Sequence, residues 1–253
     1  MSIPLASGLA LWTFVTLVWL LSVVKKDVSI IDPCWAPLFL LVSVVASTIG
    51  GWTAEKLLLT ALVGLWALRL GTHLAVRAWG KDEDFRYEAF RRRFGPKRYW
   101  WFSYFQVFLL QGALAFIISA PLQLAGSDSG SGTLGVFDII GAVVFAIGFY
   151  FEARADWELT RFKADPSNEG KLLTTGLWAR SRHPNYFGNA VLWWGLWCCV
   201  LDQPWGWATV FAPALMTFLL LRVSGVSLLE RHMKKKPAFD AYARETPAFF
   251  PKI

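Results

Sequence analysis

The sequence predicts an all-α fold, an integral membrane bundle of about seven transmembrane helices. Three observations carry this. Of 253 residues, 55% are hydrophobic, with 15 Trp and 20 Phe. Together with a mean hydropathy of +0.43, that is too apolar for a soluble domain. The apolar residues fall in runs long enough to cross a bilayer, and helix is the form that pairs every backbone group within such a run. The basic residues sit in blocks between the runs, and seven crossings put nearly all of them on one side.

The first run, residues 5–24, lacks a basic leader and a small-residue cleavage site, so it reads as a retained span. Lys25-Lys26-Asp27 closes it. Asp32-Pro33 opens the second run, which ends at Gly50-Gly51. Asp before Pro suits a helix N-cap with Pro at the first helical position; a carboxyl at the mouth of a cavity is the alternative. The third run, 57–79, carries Arg69, His73 and Arg77 at i, i+4, i+8, on one helical face. Arg77 can snorkel to the surface, whereas Arg69 and His73 imply a polar cavity. A charged loop, 81–98, follows, with Glu83-Asp84-Phe85-Arg86-Tyr87 and Arg91-Arg92-Arg93. The fourth run, 100–122, begins in the aromatic cluster Tyr99-Trp100-Trp101-Phe102, suited to a membrane interface, and holds Gln111, which needs a partner in the membrane.

Residues 126–132, Gly-Ser-Asp-Ser-Gly-Ser-Gly, read as a flexible linker. The fifth run, 134–162, continues as helix past the membrane, with Glu152, Asp156 and Lys163 near one face and Arg154 and Glu158 spaced for an ion pair. The sixth, 186–201, stops at the turn Asp202-Gln203-Pro204. The seventh, 205–229, carries Arg222, which implies an anionic partner or a bound anion. A basic tail, 230–253, ends the chain.

The net charge of +7 does not indicate nucleic acid, because no nucleic-acid motif accompanies the basic blocks. Lys25-Lys26 and the basic residues of 81–98, 161–182 and 231–252 share one side, with only Lys56 opposite. That bias places those loops and the tail in the cytoplasm. Cys34, Cys198 and Cys199 lie in apolar sequence without CxxC spacing, and His73, His183 and His232 are far apart. No disulfide and no metal site is inferred.

The chain is organised around 170–189, a polar, basic, Gly-punctuated stretch that feeds an apolar helix. Pro184 fits the first position of that helix. The N–H groups of its first turn, with Arg180, Arg182 and His183 beside them, make an anion site for a diphosphate or a carboxylate. The same arginines also suit a loop anchored to lipid phosphates. A polar bundle interior that opens to the cytoplasm favours a charged, soluble cofactor meeting an apolar substrate dissolved in the membrane.

Asp156-Trp157-Glu158-Leu159, Arg161-Phe162-Lys163, Thr175-Gly176-Leu177-Trp178 and Ser181-Arg182-His183-Pro184-Asn185-Tyr186-Phe187-Gly188 together resemble the bacterial branch of the steroid 5-alpha-reductase superfamily. Glu83 to Tyr87 and the terminal Ala248-Phe249-Phe250-Pro251 agree with it. The resemblance implies a single seven-span reductase domain over 1–253, with a substrate-side half, 1–122, and a cofactor-binding half, 134–253. It implies an oxidoreductase of a bacterial inner membrane. NADPH would reduce a C=C bond conjugated to a ketone in a lipophilic substrate, a 3-oxo-Δ4 steroid or a similar lipid. By similarity, Asp156, Lys163, Arg180, Arg182, His183, Asn185, Tyr186, Glu230, His232 and Tyr242 would contact the cofactor. Asp32 stands where the steroid enzymes have a glutamate and His73 where they have a tyrosine, four residues after a shared Arg69. These three are the catalytic candidates, and Trp35 and Gln111 would contact substrate. The alternative is a membrane methyltransferase of the isoprenylcysteine carboxyl methyltransferase type, which shares an Arg-His-Pro-x-Tyr-x-Gly run and would bind S-adenosylmethionine.

Overall fold

A computed structural model describes residues 1–127, 133–223, 225–236 and 238–252, without the side chains of Pro96 and His232. Among the described residues there is no strand, and six helices are long and apolar enough to cross a membrane. The chain forms two compact units, Met1–Leu134 and Gly135–Ile253.

In the first unit, α1 spans Ile3–Lys25 and stops where Lys26 turns left-handed, at φ +56°. Asp27 then accepts from the Ser29 N–H at 2.8 Å and starts a tight 3₁₀ segment, Val28–Cys34. Helix α2 (Trp35–Gly50) runs against α3 (Ala54–Ala78). Leu38, Phe39, Val42 and Ala46 on one helix and Leu59, Val63, Trp66 and Ala67 on the other are buried, at helical spacing. The Lys56 ammonium donates to the Gly50 carbonyl at 2.8 Å and so closes the end of α2. Helix α4 (Phe85–Phe94) is short and charged.

The fourth apolar run is a helix over Lys97–Ile118 that widens midway. It passes from α5 (Pro96–Ser103) through a wide turn, Tyr104–Leu109, into α6 (Leu110–Ile118) and α7 (Ala120–Ser127). The Trp100 carbonyl at its head accepts from the Trp19 indole and the Ser103 hydroxyl, each at 2.9 Å. Tyr104 and Thr16 share a hydrogen bond of 2.9 Å. Groups diverted in this way loosen the helical ladder. Of the expected linker, Gly126 and Ser127 belong to α7, and 128–132 lie outside the described residues.

In the second unit, α8 (Val136–Ala164) is a 29-residue helix. The sixth run forms α9 (Pro184–Cys198), only 15 residues, with Pro184 in the first turn as expected. At 1.5 Å per residue α9 is roughly 22 Å long, short of a full hydrocarbon core. It lies antiparallel along α8. Gly141 and Gly148 of α8 meet Gly195 and Gly188 of α9 so closely that a Cβ on any of the four would strike the opposing backbone. Small residues at such a seam let membrane helices approach at backbone distance. The seventh run, counted as one helix over Gly206–Arg231, changes winding along its length: a 3₁₀ segment (Gly206–Val210), α10 (Phe211–Phe218), a wide turn (Leu219–Val223) and α11 (Val226–Met233). Arg222 is exposed there, so the expectation of a buried anionic partner does not hold. Helix α12 (Phe239–Glu245) precedes the terminal segment.

Candidate functional site

The first unit holds a charged cluster around Asp32. This residue is not a cap: α2 begins at Trp35, and the Asp32 carboxylate points elsewhere. Its Oδ2 accepts from Arg86 Nη2 and its Oδ1 from the Tyr87 hydroxyl, both at 2.5 Å. Arg86 is braced by Asp84, whose carboxylate accepts from the Arg86 backbone at 3.0 Å and from Nε at 2.8 Å. Glu83 accepts from the Val28 N–H at 2.8 Å and from Arg91 at 2.8 and 2.9 Å. The loop after α3 is thereby folded back onto the segment before α2. Burial would raise the Asp84 carboxyl, but the Arg86 hydrogen bonds and charge hold it below its usual range. Burial, and next the Asp32 charge, push the Tyr87 phenol upward, so it keeps its proton.

Of the other residues singled out in this unit, Arg69 and His73 are half-buried, one turn apart on α3, and each is engaged by neighbouring groups. A Cβ at Gly71 would lie 3.1 Å from the Pro33 carbonyl, so α3 touches the segment that carries Asp32. Trp35 packs edge-on against Phe39. Gln111 is half-buried on α6. Arg86 and Tyr87 were not singled out. Their signal is an arginine and a tyrosine just after two acids, Glu83-Asp84, which does not disclose a partner 54 residues earlier.

In the second unit, two carboxylate–amide rungs join α8 to α9. Asn185 Nδ2 donates to Asp156 at 2.9 Å, and one turn deeper Asn189 Nδ2 donates to Glu152 at 3.1 Å. His183 and Tyr186 stack with ring centroids 5.7 Å apart. Ser181 donates to the Phe249 carbonyl at 2.8 Å, and Tyr242 to the Trp178 carbonyl at 2.5 Å. Arg182 departs from the expectation of a phosphate ligand. Its buried guanidinium pairs with Glu230 at 2.6 Å and donates to the carbonyls of Thr246 at 2.5 Å and Ala243 at 3.2 Å. It clasps the tail onto the loop. Tyr242 is likewise a buried tie. Arg180 is exposed. The expected Arg154–Glu158 pair forms at 2.9 Å. The His232 side chain lies outside the described residues.

Beside His183 lies a cavity of about 580 Å³. Its apolar wall includes Leu159, Phe162, Trp178 and Met233, and Lys163, Lys171 and Lys236 outnumber the acids Asp165 and Glu169. Lys236 also donates to the Lys171 carbonyl at 2.7 Å. His183 is 1% exposed and 3.6 Å from Glu230. Burial lowers its pKa to about 4; Arg182 adds to this and Glu230 opposes it. Of the residues expected at a cofactor site, Lys163 and His183 line this cavity, and Lys171, Lys236 and Trp178 are additions.

These features define a multi-pass, all-α membrane protein with two polar clusters. The chain belongs to a family described as a protein of unknown function (DUF1295), which matches residues 18–246. It is 26% identical to an uncharacterized protein of Schizosaccharomyces pombe, over 99% of this chain and 80% of that one. It is 36% identical to a probable O-methyltransferase, ustE, of Ustilaginoidea virens over 27% of this chain and 25% of that one. It is 40% identical to the nickel-cobalt-cadmium resistance protein NccN of Alcaligenes xylosoxydans xylosoxydans over 33% and 37%. No solved structure matches.

Proposed function

We propose that the protein is a membrane reductase that uses NADPH to reduce a C=C bond conjugated to a ketone in a lipophilic substrate, a 3-oxo-Δ4 steroid or a similar lipid. The observation that carries this is the cavity of about 580 Å³ with an indole, a phenyl ring and three lysines on its wall. Its size is in the usual range for cofactor sites. Lysines suit phosphates as point charges, and S-adenosylmethionine has no phosphate to offer them. Lys163, Lys171 and Lys236 would hold the phosphates, and Trp178 and Phe162 a ring.

Bound NADPH would supply the hydride that goes to the carbon β to the ketone. As negative charge develops on the ketone oxygen, hydrogen-bond donors must meet it. Arg69 and His73 are the donor candidates on α3. Both oxygens of Asp32 already accept hydrogen bonds, from Arg86 and Tyr87. It orients the Arg86 and Tyr87 donors, and Tyr87 retains its proton at Oη. The proton for the α carbon comes from water or from His73.

Thermal unfolding of detergent-purified protein with NADPH, NADH, S-adenosylmethionine or no ligand tests the cofactor, because a ligand bound only by the native state raises the midpoint. A shift with NADPH that falls about tenfold in apparent affinity in Lys171→Ala or Lys236→Ala supports the reading. The match to a probable O-methyltransferase favours a second reading. A shift with S-adenosylmethionine alone would replace the first with it. With an enone lipid as substrate, His73→Phe and Asp32→Ala should each lower turnover at least tenfold. Full turnover in both would sink the assigned roles.

A further inference from the structure

The far end of α8 carries a cluster that the reductase reading leaves unused. Asp138, in the first turn of α8, is 1% exposed. Its Oδ2 accepts from the Gly135 N–H at 2.9 Å. Its Oδ1 is buried and has no hydrogen-bond partner. Asp202, in the turn after α9, brings a carboxylate oxygen within 4.8 Å of one from Asp138. Between them the chain has a glycine: a Cβ at Gly135 would lie 2.8 Å from Asp202 Oδ2 and 3.9 Å from Asp138 Oδ2. Gly135 has φ −100° and ψ −177°, extended backbone open to any residue, so the absent side chain leaves space rather than relieving strain.

Two carboxylates this close repel, and the buried one gives up hydration. Among the described residues no Lys, Arg or His forms an ion pair with either. Something positive is therefore missing from the protein's own groups. We infer that Asp138 and Asp202, across the cradle left by Gly135, bind one hard divalent cation. Both ligands are carboxylate oxygens, the donor type of Ca²⁺ and Mg²⁺, and such ions are often held by one or two carboxylates with water completing the shell. Exposed Asp202 is the side open to water. The cation closes the start of α8 onto the turn after α9. The site stands roughly 36 Å along α8 from the cavity wall at Phe162, counting 1.5 Å per residue. It is independent of which cofactor that cavity takes.

The test uses the full-length protein in detergent, stripped with EDTA and then titrated with CaCl₂, with NaCl at matched ionic strength as control. The expected result is binding of one Ca²⁺ per chain by calorimetry and a rise in unfolding midpoint of about 5 °C at saturation. Asp202→Asn, at an exposed position, should fold and lose at least tenfold in Ca²⁺ affinity. Gly135→Ala keeps both carboxylates but puts a methyl 2.8 Å from Asp202 Oδ2, so it fills the cradle and should do the same. No calcium-specific shift in the parent protein, or an equal shift in both variants, overturns the inference. A stripped protein made more stable by Asp202→Asn while binding no calcium also overturns it, and shows instead a carboxyl pair that shares a proton.

Discussion

At the level of single residues, the structure redistributes roles within groups that the sequence brought to notice. Arg182 and Glu230 were both singled out as cofactor contacts, yet they contact each other. Asp32 suits a cap or a carboxyl at a cavity mouth by sequence, and it is an acceptor for Arg86 and Tyr87. The residue types were legible because charge in apolar sequence is conspicuous. The partners were not, because each pair joins positions dozens of residues apart. His183 gives a prediction at this scale. Its ring is buried, stacked on Tyr186, 3.6 Å from the Glu230 carboxylate and within reach of the Arg182 charge. Its pKa is lowered from 6.5 to about 4. Between those values the unfolded chain binds a proton that the folded protein refuses. Stability is therefore full above pH 6.5 and falls as pH drops toward 4, by up to about 3 kcal/mol. Unfolding midpoints measured from pH 7.5 to 4.5 should fall along that curve, and His183→Gln should flatten it. A parent protein whose midpoint ignores this window contradicts the assignment.

At the level of elements, the sequence reading places α1, α2, α3 and α8 within a few residues of their ends, because long apolar runs bounded by charge or glycine have one interpretation in lipid. The fourth and seventh runs stay helical but wind more widely at Tyr104–Leu109 and Leu219–Val223, and nothing in an apolar run announces a diverted carbonyl. The glycine seam was also unread. Gly141 and Gly148, and Gly188 and Gly195, are each seven apart, but glycine in a membrane span looks merely apolar until the facing helix is known. A matched pair of substitutions tests it. Gly148→Ala drives a Cβ into the α9 backbone near Leu192, whereas Gly64→Ala meets only a Leu40 methyl at 3.6 Å. Alanine favours helix by about 1 kcal/mol over glycine, so Gly64→Ala should be neutral or stabilising. Overpacking costs about 1–3 kcal/mol, so Gly148→Ala should lower the midpoint and loosen the Asn185–Asp156 and Asn189–Glu152 rungs. Equal midpoints for the two variants would show that α8 and α9 are not held at backbone distance.

At the level of the whole molecule, the count of long helices and the number of crossings part company. Six helices satisfy length and hydropathy, which alone would return the chain to the side on which it began. Yet α9 follows α8 from Asp156, paired with Asn185, back to Gly141, beside Cys199. Asp202 then reaches the start of α8 at Gly135. The short helix thus retraces the apolar part of its long neighbour. If α9 crosses as well, the crossings number seven, and the sequence then expects the basic residues of 81–98, 161–182 and 231–252 on one side, with Lys56 opposite. We expect that side to be the cytoplasm, because positively charged loops resist translocation. Fusions of a reporter active only after export, in a bacterial host, decide the matter. One joined after Asp202 should be active, and one joined after Lys252 or within 81–98 should be silent. Activity after both Asp202 and Lys252 would mean that the segment between them does not cross, and that the charge bias marks a lipid-facing surface instead of an orientation.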